Sequence, residues 1–279
     1  VITPAAILGL VLAMTATGGS VLLWLAPTWG KVRHGYEILT ASTIALLAWG
    51  AWGSMRNPVR SLEGTDQAAT GEVALALLLG LAVVTALAVV GLVAKLPSVV
   101  ARVLGVLATV AGLASFVPIA LIRDAQGGAG GLVQGLLELV FGATLLGAIW
   151  VGMILGHWYL VERRLTNRYM VWIAWVNVAA IGAGLGSVLL SARNPVPCGG
   201  LSGAAFEQCI LTFAPILRIG SMTIILGLGV LALVALISGF NVKLAREGGR
   251  SIQASTGMFY LAVILAPAVE FAAKVRYFS

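Results

Sequence analysis

Long apolar stretches, broken only by short polar connections, take up nearly the whole of this chain. Eight of them run over approximately residues 3–26, 34–55, 72–94, 98–122, 131–161, 168–192, 210–241 and 251–275. Each exceeds the ~20 residues a helix needs to cross ~30 Å of hydrocarbon. Within a bilayer the backbone N–H and C=O groups must be satisfied inside the segment, so spans of this length form helices. Only 10% of the residues are charged and 60% are hydrophobic, whereas soluble domains carry roughly 25% charged residues. A soluble fold has no interior that would hide so much apolar surface. The expected fold is all-α: a polytopic integral membrane protein, an eight-helix transmembrane bundle in the cell (cytoplasmic, or inner) membrane.

The connections are short. Residues 27–33, the polar loop 56–71, the Gly-rich turn 123–130 and the segment 193–209 leave no room for an extramembrane domain, and no internal repeat is visible, so residues 1–279 read as one domain. The first span lacks a charged leading region and a cleavage signal, and it reads as a retained helix. Basic residues concentrate in loops that stay inside. With the N-terminus outside, ten Lys and Arg fall inside and six outside, which favours both termini on the outer side. The only cysteines, Cys198 and Cys209, then lie at an outer loop, where an oxidising compartment permits a disulfide. The net charge of +7 comes from these loops; no basic helix is present and no nucleic-acid partner is implied.

In such a chain the informative residues are ionisable ones inside spans, because each is costly without a partner. Glu138, Arg218 and Glu270 all fall some 8–12 Å below the outer surface, counting ~1.5 Å per residue. Lys274 follows Glu270 by four residues and shares its face. These four are expected to form a buried charge cluster, which either fixes helix register or serves a polar head group or proton.

Both histidines lie at inner helix ends. His34 has Glu37 one turn on, and His157 sits beside Tyr159 with Trp150 and Met153 on its own face. One reading is an ordinary interfacial belt. If His34 and His157 converge, they supply two axial ligands for haem b. One imidazole with Tyr159 or Glu37 would instead hold a quinone carbonyl. The middle of the membrane is almost free of ionisable groups, with Asn177 its most polar side chain. That weighs against an ion-coupled transporter, which uses midplane carboxylates or broken helices. The 35 glycines point to close helix packing or to flat surfaces that accept a ring-shaped or isoprenoid cofactor. Phosphate-binding, dinucleotide, HExxH and CxxC motifs are missing.

The expected function is an integral membrane subunit of a respiratory or photosynthetic electron-transfer complex. It would bind quinone, haem b or pigment beside other membrane subunits. The alternatives are a small-solute permease, a purely structural anchor or assembly subunit, and, behind these, a membrane-embedded enzyme.

Overall fold

The computed structural model describes residues 3–26, 28–162, 164–195, 201–212 and 220–278, with backbone alone at 209–212, 220, 222 and 223. The described residues are helical with no strand, and eight helices are long and apolar enough to span a membrane. They are α1 (Pro4–Trp24), α2 (His34–Arg60), α3 (Ala68–Val93), α4 (Ser98–Ala125), α5 (Gly131–Val161), α6 (Arg168–Ser191), α8 (Gly220–Glu247) and α9 (Ser251–Lys274), with a short α7 (Gly203–Thr212) between α6 and α8. The start of α1 shows the local logic. Thr3 caps it by accepting the Ala6 N–H at 3.2 Å, and Pro4 occupies a first-turn position where its missing N–H costs nothing.

Several boundaries depart from the sequence reading: α2 runs on to Arg60 where 55 was expected, and α8 to Glu247 where 241 was expected. The seventh span, expected over 210–241, takes in the end of α7 and most of α8, with 213–219 between them outside the described residues. The fourth helix, expected to stop at residue 122, continues to Ala125 and carries Arg123 inside it.

The central helices are α1 and α5. Their backbones meet at Gly18 and Gly147. A Cβ on Gly18 would lie 1.9 Å from the Ala143 carbonyl oxygen, and one on Gly147 would lie 2.2 Å from the Gly18 carbonyl carbon. Only glycine permits that approach. Around this crossing α1 packs on α2 and α4, as α5 packs on α6 and α9. The path α2–α3–α4 is repeated by α6–α8–α9, and α4 reaches α5 as α9 reaches α1. Exchanging the first four spans with the last four maps each of these contacts onto another. Each half has an even number of spans, so α1 and α5 enter from the same side and the relation is parallel, about an axis along the membrane normal. It lives in the packing; the two halves show no matching residue pattern.

Candidate functional site

Where the C-terminal ends of α4, α6 and α9 meet the N-terminal end of α5, the structure buries two ion pairs. Arg123 and Glu138 are fully buried, with Nη2 3.2 Å from Oε1. The same Nη2 lies 2.5 Å from Asn194 Oδ1 and 2.7 Å from the Ala129 carbonyl, and Nη1 donates to the Gly131 carbonyl at 3.1 Å. Gln134 and Asn194 each donate to Glu138 Oε1 at 3.1 Å. Glycines make the room: a Cβ on Gly128 would lie 2.8 Å from Arg123 Cγ. The second pair joins Lys274 Nζ to Glu270 Oε2 at 3.2 Å, also fully buried, and Ser187 bridges it by accepting from Lys274 (2.8 Å) and donating to Glu270 (3.0 Å). Tyr277 lies between the pairs. Its ring is 5.3 Å from the Arg123 guanidinium carbon and 6.0 Å from Lys274 Nζ, and its hydroxyl donates to the Gly135 carbonyl at 3.1 Å. Burial, and next the Glu138 carboxylate, push the Tyr277 phenol well above its ordinary value against the opposing pull of Arg123, so it stays a donor.

Of the expected cluster, Glu270 and Lys274 pair as the spacing implied. Glu138 is buried as expected, and its described partner is Arg123, which the sequence reading placed in an outer loop. Arg218 lies outside the described residues, as do Cys198 and the side chain of Cys209. Two cations against two carboxylates leave the network neutral, and its hydrogen bonds fasten four helix ends. None of the grooves and clefts described below is lined by any of these four charged residues.

At the opposite ends of the helices the four expected ligand-binding residues take three separate positions. His34 Nε2 is 2.8 Å from the Leu92 carbonyl at the end of α3, and its Nδ1 is 3.5 Å from Glu37 Oε2. Glu37 in turn accepts the Gly30 N–H at 2.8 Å. This pair pins the α1–α2 connection. Tyr159 donates to the Thr166 carbonyl and lines an open polar cleft of about 790 Å³, shared with Asn167, Glu247, Arg250 and Gln253. His157 is elsewhere again: its Nδ1 is 2.9 Å from the hydroxyl of Tyr260 on α9, the rings set edge to face. Both members of that pair are exposed on the outer surface of the bundle. Gly152 and Gly156 form a small-residue step on which Phe259 and Thr256 of α9 rest.

The two histidines do not fit haem b. Both nitrogens of His34 are engaged, and the two imidazoles are tied to different helices, α3 and α9. Among the described residues no group of three or more His, Cys, Asp or Glu is placed to hold a metal ion. A quinone carbonyl fits the His157–Tyr260 pair better. If Tyr260 donates to Nδ1, the Nε2–H of His157 is left to donate outward; if Nδ1–H donates to Tyr260, the phenol hydrogen is left instead. Either tautomer offers one donor to a ligand on the lipid side.

Asn177 is buried at mid-depth, and neither its amide oxygen nor its nitrogen has a partner among the described residues. Comparison with known proteins returns no match to a family, to a characterised protein or to a solved structure.

Sequence reasoning missed Arg123, Gln134, Asn194, Ser187 and Tyr260. A signal existed for the first: Arg123 continues the buried stripe Gly112, Phe116, Ile119 at helical spacing. Tyr260 carried none, because a single tyrosine inside an apolar span does not show in the sequence which side chain it meets.

Proposed function

We propose that this protein is an integral membrane subunit of an electron-transfer complex that binds a quinone at its inner side, between His157 and Tyr260. The observation that carries this reading is a hydrogen-bonded imidazole–phenol pair exposed on the outside of the bundle, on two helices long and apolar enough to span a membrane. His157 lies four residues, about 6 Å, from the C-terminal end of α5, which this reading places near the head groups. That is where a lipid-soluble molecule with a polar head rests. A quinone supplies acceptance and release of electrons and protons. The pair supplies a donor to its carbonyl, from the imidazole or from the phenol. The absence of any extramembrane domain in the described chain supports redox partners on other subunits. In this reading both termini face the outer side of the cytoplasmic membrane and Cys198 and Cys209 form an outer disulfide.

The test is purification in mild detergent followed by organic extraction. Quinone is expected at near-stoichiometric amount, falling at least tenfold in His157→Ala and Tyr260→Phe. No extractable quinone, together with no binding of added quinone, overturns the reading. A purely structural assembly subunit is the second reading, favoured by the sealed outer network. It predicts co-purification with a larger complex whose turnover is indifferent to His157 and Tyr260.

A further inference from the structure

Two apolar grooves flank the α1–α5 crossing. One, of about 150 Å³, has Leu12 and Thr15 of α1 and Trp150 of α5 on its floor, Leu47 of α2 on one wall, and Val263 and Pro267 of α9 on the other. The second, of about 290 Å³, is lined by Thr17 and Val21 of α1, Leu113 of α4, Val140 and Thr144 of α5, and Val176 of α6. Exchanging the two halves of the bundle turns α1, α4, α5 and α6 into α5, α9, α1 and α2. The grooves are therefore counterparts.

They differ in what lies beyond them. On α5, Trp150 precedes His157 by seven residues, two turns on one face. On α9, Val263 and Pro267 follow Tyr260 by three and seven residues, again on one face. The first groove thus runs on the same helix faces towards the His157–Tyr260 pair, with a rise of about 10 Å between Trp150 and His157. Trp150 is held there by donating its indole N–H to Thr43 of α2 at 3.2 Å. The second groove has no such continuation: the counterparts of α5 and α9 are α1 and α4, and neither carries a histidine or a tyrosine. The first groove is open on the lipid side: Leu47, Trp150, Val263 and Pro267 are half-buried and Leu8 at its outer end is exposed. An apolar cavity of roughly 150 Å³ admits a benzene-sized group, and an isoprene unit is smaller.

We propose that this groove between α2 and α9 seats the isoprenoid tail of the quinone, so that the protein selects tailed quinones over their bare head groups. The inference rests on the quinone reading above. The experiment measures binding to the purified protein, by quenching of tryptophan fluorescence, for a benzoquinone and a naphthoquinone, each bare and with a multi-isoprene tail. Filling the groove with Val263→Trp is expected to weaken the tailed forms at least tenfold and leave the bare forms unchanged. Leu47→Trp fills the same space from the half-exposed wall and is expected to do the same, which guards against a misfolded Val263 variant. Val176→Trp, in the counterpart groove, is expected to change neither form. Equal weakening of bare and tailed forms overturns the inference. So does unchanged tailed binding in both groove variants, with His157→Ala still abolishing binding; the quinone reading then stands. If none of the four quinones binds the wild-type protein, the quinone reading itself fails.

Discussion

A buried charge is inexpensive to keep with its partner and costly without it, and that asymmetry decides what Arg123 does. Arg123→Met leaves the Glu138 carboxylate fully buried with Gln134 and Asn194 as its remaining donors. Breaking such a pair typically costs about 3–5 kcal/mol. We expect a marked fall in the melting temperature of the detergent-purified protein. The double variant Arg123→Met/Glu138→Gln should recover most of it, because no charge is then stranded; a double variant as unstable as the single one would refute the pairing. The histidines separate at the same scale. His34→Ala should loosen the α1–α2 connection but leave extractable quinone unchanged, whereas His157→Ala should deplete it. The rule that ionisable residues inside a span need partners was enough to find Glu138, Glu270 and Lys274. It missed Arg123 because counting residues to a membrane thickness ended the helix at 122, one residue too soon. Gln134, Asn194 and Ser187 escaped because uncharged polar side chains near helix ends are too common to stand out.

At the scale of helices, the glycines separate into those that seat a neighbour and those that face open space. Gly18 and Gly147 are the strict cases, because the obstructing atoms are backbone and cannot rotate away. Gly18→Ala and Gly147→Ala should each destabilise by about 1–3 kcal/mol, as overpacking does. Gly239→Ala and Gly257→Ala, where a Cβ meets nothing within 4 Å, should cost nothing measurable. Thermal melts of the four single variants check this, and a neutral Gly18→Ala would mean that the α1–α5 crossing is looser than described. The glycine excess itself was plain in the composition, and its dominant use as helix contact follows from the physics of packing in lipid. Which glycines carry the central crossing was not legible, since the pairing of α1 with α5 is a long-range fact.

At the scale of the whole molecule, burial sharpens the argument for orientation. The positive-inside rule concerns charges in loops, not those folded into the protein. Three of the six cations assigned to the outer side, Arg123, Lys274 and Arg276, are buried, which leaves Arg56, Arg60 and Arg193 exposed there. On the other side Lys31, Arg33, Lys95, Arg102, Arg164, Arg168, Lys243, Arg246 and Arg250 are all exposed. The bias is therefore nine exposed cations against three among the described residues, steeper than the sequence count implied. It favours the termini outside and the His157–Tyr260 pair on the cytoplasmic side; under the proposed quinone function, protons taken up or released at that pair would exchange with the cytoplasm. In a Cys198→Ser/Cys209→Ser background, an impermeant maleimide should label Glu63→Cys in intact cells and Lys31→Cys only after lysis. The reverse pattern would invert the protein. It would leave the quinone site intact but move its proton exchange to the opposite face of the membrane.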